Sequence, residues 1–112
     1  MDFEVIGRRV DITPEVRDFL AKRVEKLRRL FDRTHALKVV LVAEGSVHTA
    51  EFVAHLVKSD TVVSKGSDAD LYTAIEVASD RLEHQLRKYK EKLRDHRPRS
   101  EEQGGEEVPP KS

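Results

Sequence analysis

The residues best placed to do chemistry in this chain are cations at helical spacing. At about 100° per residue, Lys22, Lys26, Arg29 and Arg33 fall along one flank of an amphipathic segment, beside its apolar stripe. In a second segment Arg81, Lys88 and Lys92 line one flank with Gln85 nearby, while Arg87, Lys90 and Arg94 occupy the other side among Glu76, Glu83 and Glu91. Rows of cations neutralise successive phosphates, which is what sequence-independent RNA affinity requires. They also fit solvated helix faces tied by i,i+4 ion pairs, and the residues alone leave both readings open. Tyr72, on a helix shoulder, has the same ambiguity: it can stack on a base or sugar, or pack at the core edge.

Bond-breaking chemistry has little support. There is no cysteine, so no disulfide, thiolate metal site or cysteine nucleophile can form. His35, His48, His55, His84 and His96 lack metal-ligand spacing, and His48 and His55 should project from opposite faces of one strand. Glycine-rich phosphate loops, nucleophile elbows and paired carboxylates beside a histidine are missing as motifs. The expectation is a binding protein rather than an enzyme, with no cofactor, metal or small-molecule substrate.

The elements that must position these cations follow from periodicity. Phe3 to Val10 alternates imperfectly around Gly7, as in a strand with a bulge or a close backbone approach. Thr13, Pro14 and Glu15 give an N-cap, a first-turn proline and an acidic residue, so a helix should begin there. Its stripe is Val16, Phe19, Leu20, Val24, Leu27, Leu30 and Phe31, with Arg23 inside it, obliged to snorkel or face a groove. After the interruption DRTHA, Leu37 to Ala43 reads as a central strand ending near Gly45, and His48 to Val57 alternates with Ala50, Phe52, Ala54 and Leu56 on one side. Lys58, Ser59 and Asp60 supply a turn, and Thr61 to Lys65 a short strand leading through Gly66 into a long helix. That helix should start at Ser67 as N-cap with Asp70 completing a capping box, and carry Leu71, Ile75, Ala78, Leu82, Leu86, Tyr89 and Leu93 on its buried face.

The fold class expected is α+β, in the order β-α-β-β-β-α: a four-stranded sheet with two helices packed on one face, the last three strands an antiparallel meander. The opposite sheet face would be partly open, with Val40, Val42, Val53 and Val57 as a possible apolar patch for an oligomeric interaction module. Residues 1–97 form one domain. Residues 98–112, rich in Gly, Pro, Ser and Glu after Pro98, read as a disordered acidic tail or linker.

The formal net charge is zero, yet the charges are unevenly placed. Residues 1–99 hold 20 Lys plus Arg against 17 Asp plus Glu, about +3, while residues 100–112 hold one Lys and four Glu, about −3. An anionic partner for the domain, electrostatic competition by the tail, and a tail that only keeps the protein soluble all fit this split. No apolar run approaches membrane-spanning length and the N-terminus lacks signal-peptide order, so a soluble, cytoplasmic protein without a membrane partner is expected.

Two separated motifs carry a family resemblance. D-L-Y-x-A-I at Asp70 to Ile75 is followed by R-L-E-x-Q-L-R-K-Y-K-E-K-L at Arg81 to Leu93, and G-R-R-V-D-I-T at Gly7 to Thr13 precedes a helix ending in Leu30-Phe31-Asp32. Over residues 3–96 this pattern resembles the ribosome hibernation promoting factors, also called ribosome-associated inhibitors or protein Y. The resemblance implies a translation inhibitor that occupies the messenger and transfer RNA channel of the small ribosomal subunit and holds ribosomes inactive during stress or stationary phase. It implies the small subunit and its 16S-type rRNA as partner, with the free protein a monomer. It carries rRNA-binding roles over to Arg8, Asp70, Tyr72, Arg81, Gln85, Arg87, Lys88 and Lys90, to which the helical wheel adds Lys22, Lys26 and Arg29. Arg9 stands where the family more often has asparagine or histidine, and His84 where a basic side chain is common. Long members carry a second, C-terminal domain that pairs ribosomes, and this sequence contains none. The competing reading, from the α-β-β-β-α order after the first strand, is a double-stranded RNA-binding regulatory module.

Overall fold

Thr13 fixes the start of the first helix, its Oγ1 accepting the Val16 amide at 3.2 Å with Pro14 in the first turn. In the computed structural model, which describes residues 3–94, the elements run β1 (Glu4–Arg8), α1 (Pro14–Leu30), β2 (Thr34–Glu44), β3 (Val47–Leu56), β4 (Thr61–Asp68) and α2 (Leu71–Arg94). The sheet order is β1-β2-β3-β4. β1 pairs parallel to β2, and β2, β3 and β4 form the expected antiparallel meander. The expectations placed on His96, Pro98 and the acidic tail lie outside the described residues.

Both apolar stripes meet one sheet face. Val16, Leu20, Val24 and Leu27 of α1 and Ala74, Ile75, Ala78, Leu82 and Leu86 of α2 are buried together with Leu37, Val39, Leu41, Ala50, Phe52, Ala54 and Leu56 of the sheet. The alternation in β3 sorts its residues to the sides expected, because successive side chains of a strand leave opposite faces. Truncating one of the fully buried leucines, such as Leu20 or Leu82, should cost about 2–5 kcal/mol.

Several local expectations change. α2 does not start from Ser67: β4 continues through it, pairing Ser67 with Thr49 and Asp68 with His48. The N-cap is Asp70, whose Oδ2 accepts the Thr73 amide at 3.0 Å and the Thr73 hydroxyl at 2.9 Å. Ser67 instead shares a hydrogen bond with the Thr49 hydroxyl at 3.0 Å, a cross-strand contact that local sequence cannot reveal. Gly66 is no loop residue either. It sits inside β4 under α2, where a Cβ would come within 2.6 Å of the Ala78 amide nitrogen, so its small size sets the helix-to-sheet approach. Beside it, Ser64 donates to the Ala78 carbonyl at 2.8 Å.

At Gly7 the backbone approach is the feature realised: the β1–β2 register runs without a bulge, and a Cβ there would meet the Val10 carbonyl at 2.5 Å. The register irregularity falls instead between Thr34 and Ala36, inside the segment that interrupts the sequence pattern. Val57 lies in a single 3-10 turn, Val57–Ser59, rather than on the open sheet face. Exposed Val63, which pairs with Val53, takes its place beside that residue, the strand having a period of two.

Candidate nucleic-acid interface

The helices lie side by side and run in the same direction, because their contacts advance together along both chains. Phe19 meets Tyr72 edge-on at 5.1 Å, Arg23 reaches Glu76, Lys26 reaches Glu83, and Phe31 meets Tyr89 edge-on at 5.5 Å. Lys90 Nζ donates to the Leu30 carbonyl at 3.3 Å, satisfying one of the acceptors left at the end of α1. The facing flanks thus make one continuous seam between the two helices.

Two ion-pair groups bridge this seam, built in opposite senses. Toward the N-terminal ends, Arg23 Nη2 lies 2.8 Å from Glu76 Oε2 and Nη1 lies 3.8 Å from Asp80 Oδ1. Here the cation is the covered partner: its side chain is 24% exposed against 48% for Glu76 and 68% for Asp80. Its guanidinium also sits 5.3 Å from the centre of the Phe19 ring. This is the groove-facing arginine that the apolar stripe required.

Further along, Glu83 is the covered partner. Its Oε1 lies 3.4 Å from Lys26 Nζ and its Oε2 2.9 Å from Arg87 Nη2. The carboxylate side chain is 20% exposed, while Lys26 and Arg87 are 60% and 58% exposed. The hydrogen bond from Arg87, aided by Lys26 against the opposing effect of burial, holds the Glu83 carboxyl below the usual carboxylate range. Solvent therefore meets anions at one end of the seam and cations at the other.

The candidate residues do not share one place. Lys26, Arg87, Lys90 and Tyr72 lie on the seam, with Tyr72 packed against Phe19 yet 37% exposed. Lys22 is exposed and makes no ion pair among the described residues, whereas Arg29 turns back along α1 to Glu25 at 3.3 Å. The row expected on α1 thus differs in its partners from one residue to the next: Lys26 crosses to α2, and Arg29 pairs within α1. Arg81, Gln85 and Lys88 belong to the far flank of α2, over β4: Arg81 Nη1 donates to the Lys65 carbonyl at 2.8 Å, and Gln85 borders a shallow hollow with Thr61, Val62, Val63, Tyr89 and Lys92. Asp70 is occupied as a helix cap.

Arg8 stands apart from all of these. It is opposite Val42 in the sheet register, in the row of Glu4 and Ile6, while the alternate Val5 is opposite buried Val39. The helices cover the other face. At the far end of the seam, Tyr89 donates a hydrogen bond to Asp60, which raises the phenol above its ordinary value together with partial burial, and joins α2 to the turn before β4.

The acids of the seam, Glu76, Asp80 and Glu83, carry no site role in the sequence reading, although Glu76 and Glu83 appear there among the cations of α2. Their signal is present: all three fall on the arc of α2 that also carries Arg87 and Lys90. Which arc of α1 they meet depends on how the helices are rotated against each other, and no single-helix wheel contains that.

Residues 3–94 match the family described as Sigma 54 modulation protein / S30EA ribosomal protein. The chain belongs to this family. The match takes in the whole sheet and both helices, so the seam lies inside the family's own domain. Among curated relatives, the ribosome hibernation promoting factor of Escherichia coli strain K12 is 34% identical over 96 residues, covering 86% of this chain and all of that protein. The protein of the same name from Azotobacter vinelandii is 33% identical over 92 residues, covering 82% of this chain and 85% of that one. Of solved structures, the N-terminal domain of Thermus thermophilus Protein Y is 38% identical with a TM-score of 0.73, covering 80% of this chain and 99% of that domain. A ribosomal subunit interface protein from Coxiella burnetii, 22% identical, shares the fold with a TM-score of 0.75 over 81% of this chain and 99% of its own.

Proposed function

We propose that this protein is a ribosome hibernation factor that binds the small ribosomal subunit through its rRNA and occupies the channel used by messenger and transfer RNA. The relatives named for ribosome hibernation, matched over their whole or nearly whole length, support the ribosome as partner. The observation that carries the reading in this chain is the cation-exposing end of the seam, where Lys26 and Arg87 stand out above a covered Glu83. Phosphate oxygens are the natural ligands of such a surface, Arg offering a planar fork and Lys a point charge. Inhibition then needs no bond chemistry. A preformed four-stranded sheet backs the helices, so a domain held by phosphate contacts excludes competing ligands by occupancy alone.

The seam also has a polarity. Its N-terminal end exposes Glu76 and Asp80 and repels phosphate, so the RNA backbone should track the C-terminal halves of both helices. The test is to pellet ribosomes through sucrose with the protein at several salt concentrations, with transfer RNA as competitor, and to map rRNA positions that become protected. Co-sedimentation at low salt, competition by transfer RNA and protection of the decoding channel are expected. Protein left in the supernatant, or binding indifferent to transfer RNA, refutes the reading. Equal affinity for a free RNA duplex and for small subunits would favour a duplex-binding module instead.

A further inference from the structure

We propose that Glu83 is a positioning residue for phosphate recognition, holding the Lys26 ammonium and the Arg87 guanidinium, from two different helices, as one preset pair of cations. This rests on the reading that the seam meets ribosomal RNA. Each oxygen of the carboxylate takes a different partner, Oε1 facing Lys26 Nζ at 3.4 Å and Oε2 facing Arg87 Nη2 at 2.9 Å. Lys and Arg side chains lose more rotamer freedom on ordering than most others, so a cation already held in place binds a phosphate at lower entropic cost. The pattern of exposure supplies the direction. Glu83 is mostly covered while both of its cations remain open, so an incoming anion meets the cations first.

Arg29 provides a contrast. It is also exposed, but its only ion pair among the described residues is with an exposed glutamate one turn back on its own helix, Glu25, and nothing covers that pair. At the other end of the seam the covered charge is Arg23, and what it holds in place is a pair of acids. Of the ion pairs among the described residues, the Glu83 group alone fixes cations from both helices while leaving them accessible.

Two roles for Glu83 give different results on neutralisation. If it merely cancels charge, Glu83→Gln strengthens binding to every RNA in proportion. If it positions Lys26 and Arg87, Glu83→Gln leaves binding to arbitrary RNA equal or slightly tighter while weakening the specific complex. The experiment measures affinity of the full chain for small ribosomal subunits and for a random-sequence single-stranded RNA at one salt concentration. The expected result is a fall of about tenfold in the ratio of the two affinities, the size typical of coupled groups in one network.

The same substitution in a Lys26→Gln, Arg87→Gln background should leave the ratio unchanged, since the groups it positions are gone. An unchanged ratio in the wild-type background overturns the proposal, as does an equal fall in the double-variant background, which would mark a general effect on the fold. If the wild-type chain fails to bind ribosomes, the functional reading falls and this inference with it. A changed ratio cannot be mistaken for that outcome, because it requires a wild-type complex to measure.

Discussion

The two ends of the helix seam are made from the same materials and present opposite charges. At one end a covered arginine holds exposed Glu76 and Asp80; at the other a covered glutamate holds exposed Lys26 and Arg87. Counting charges along the helices misses this. The sign that a partner meets follows from how the charges are grouped, one cation with two acids against one acid with two cations, and it is sharpened because the single charge is the covered one in each group. A chain with no formal net charge can thus carry a defined phosphate-facing surface and, beside it, one that repels phosphate.

Charge reversal at the cationic end is the most severe way to break this comparison. Lys26→Glu with Arg87→Glu should weaken ribosome binding on the order of 100-fold at low salt, since two phosphate contacts become repulsions. It also leaves Glu83 among like charges, so the thermal midpoint should fall in the same variant. Reversal at the other end, Glu76→Lys with Asp80→Lys, should leave binding intact or tighten it. Sedimentation of both variants with ribosomes compares the two ends directly.

A smaller effect separates fold from binding. Arg23→Ala removes the covered cation and its packing over Phe19, and should cost about 1–2 kcal/mol of stability in urea denaturation. Ribosome affinity should change little. Loss of binding in a variant that is folded at the assay temperature would mean that the anionic end takes part in recognition after all.

The smallest effect is a dependence on pH. The Glu83 carboxyl is held below its ordinary value of 4.5, chiefly by the Arg87 hydrogen bond. A carboxyl lowered in the folded state contributes stability above its unfolded value, and that contribution is lost as pH falls through the lowered folded value. The difference in urea midpoint between wild type and Glu83→Gln should therefore be constant near neutrality and shrink once the pH drops below 4.5. A difference that stays constant into that range would show that the carboxylate charge does not hold the pair.

Much of the fold was legible in the sequence because two periodicities were clean. The stripes from Val16 to Phe31 and from Leu71 to Leu86 mark helices, and the alternation of Ala50, Phe52, Ala54 and Leu56 marks a strand with one buried side. Boundaries were less legible where two residues offer the same local chemistry. Ser67 and Asp70 are both good caps, and only the pairing of Ser67 with Thr49 shows that the strand continues past the first of them. Gly66 resembled punctuation, yet its purpose is to admit α2 close to β4.

The candidate site was legible as composition and not as geometry. The residues named from the sequence lie in separate places: Arg87 and Lys90 on the seam, Arg81 and Lys88 on the far flank of the same helix, and Arg8 on the uncovered sheet side. The single-helix wheel already set Arg81 and Lys88 on one flank of α2 and Arg87 and Lys90 on the other, but it does not say which flank faces α1. Lys26 meets Glu83 across a helix interface, a contact 57 positions apart in sequence that exists only once both helices have docked on the sheet.

The most direct measurement is the salt dependence of ribosome binding for Lys26→Gln with Arg87→Gln, set against Arg17→Gln with Arg28→Gln, two arginines that at about 100° per residue fall on the other side of the α1 apolar stripe from Lys26. Each lost phosphate contact lowers the slope of log affinity against log salt by about 0.7–0.9, so the seam variant should lose about 1.4–1.8 and the opposite-flank variant nothing. An unchanged slope in the seam variant, or an equal loss in the opposite-flank variant, would contradict the account, because phosphate would then be met elsewhere or nowhere in particular.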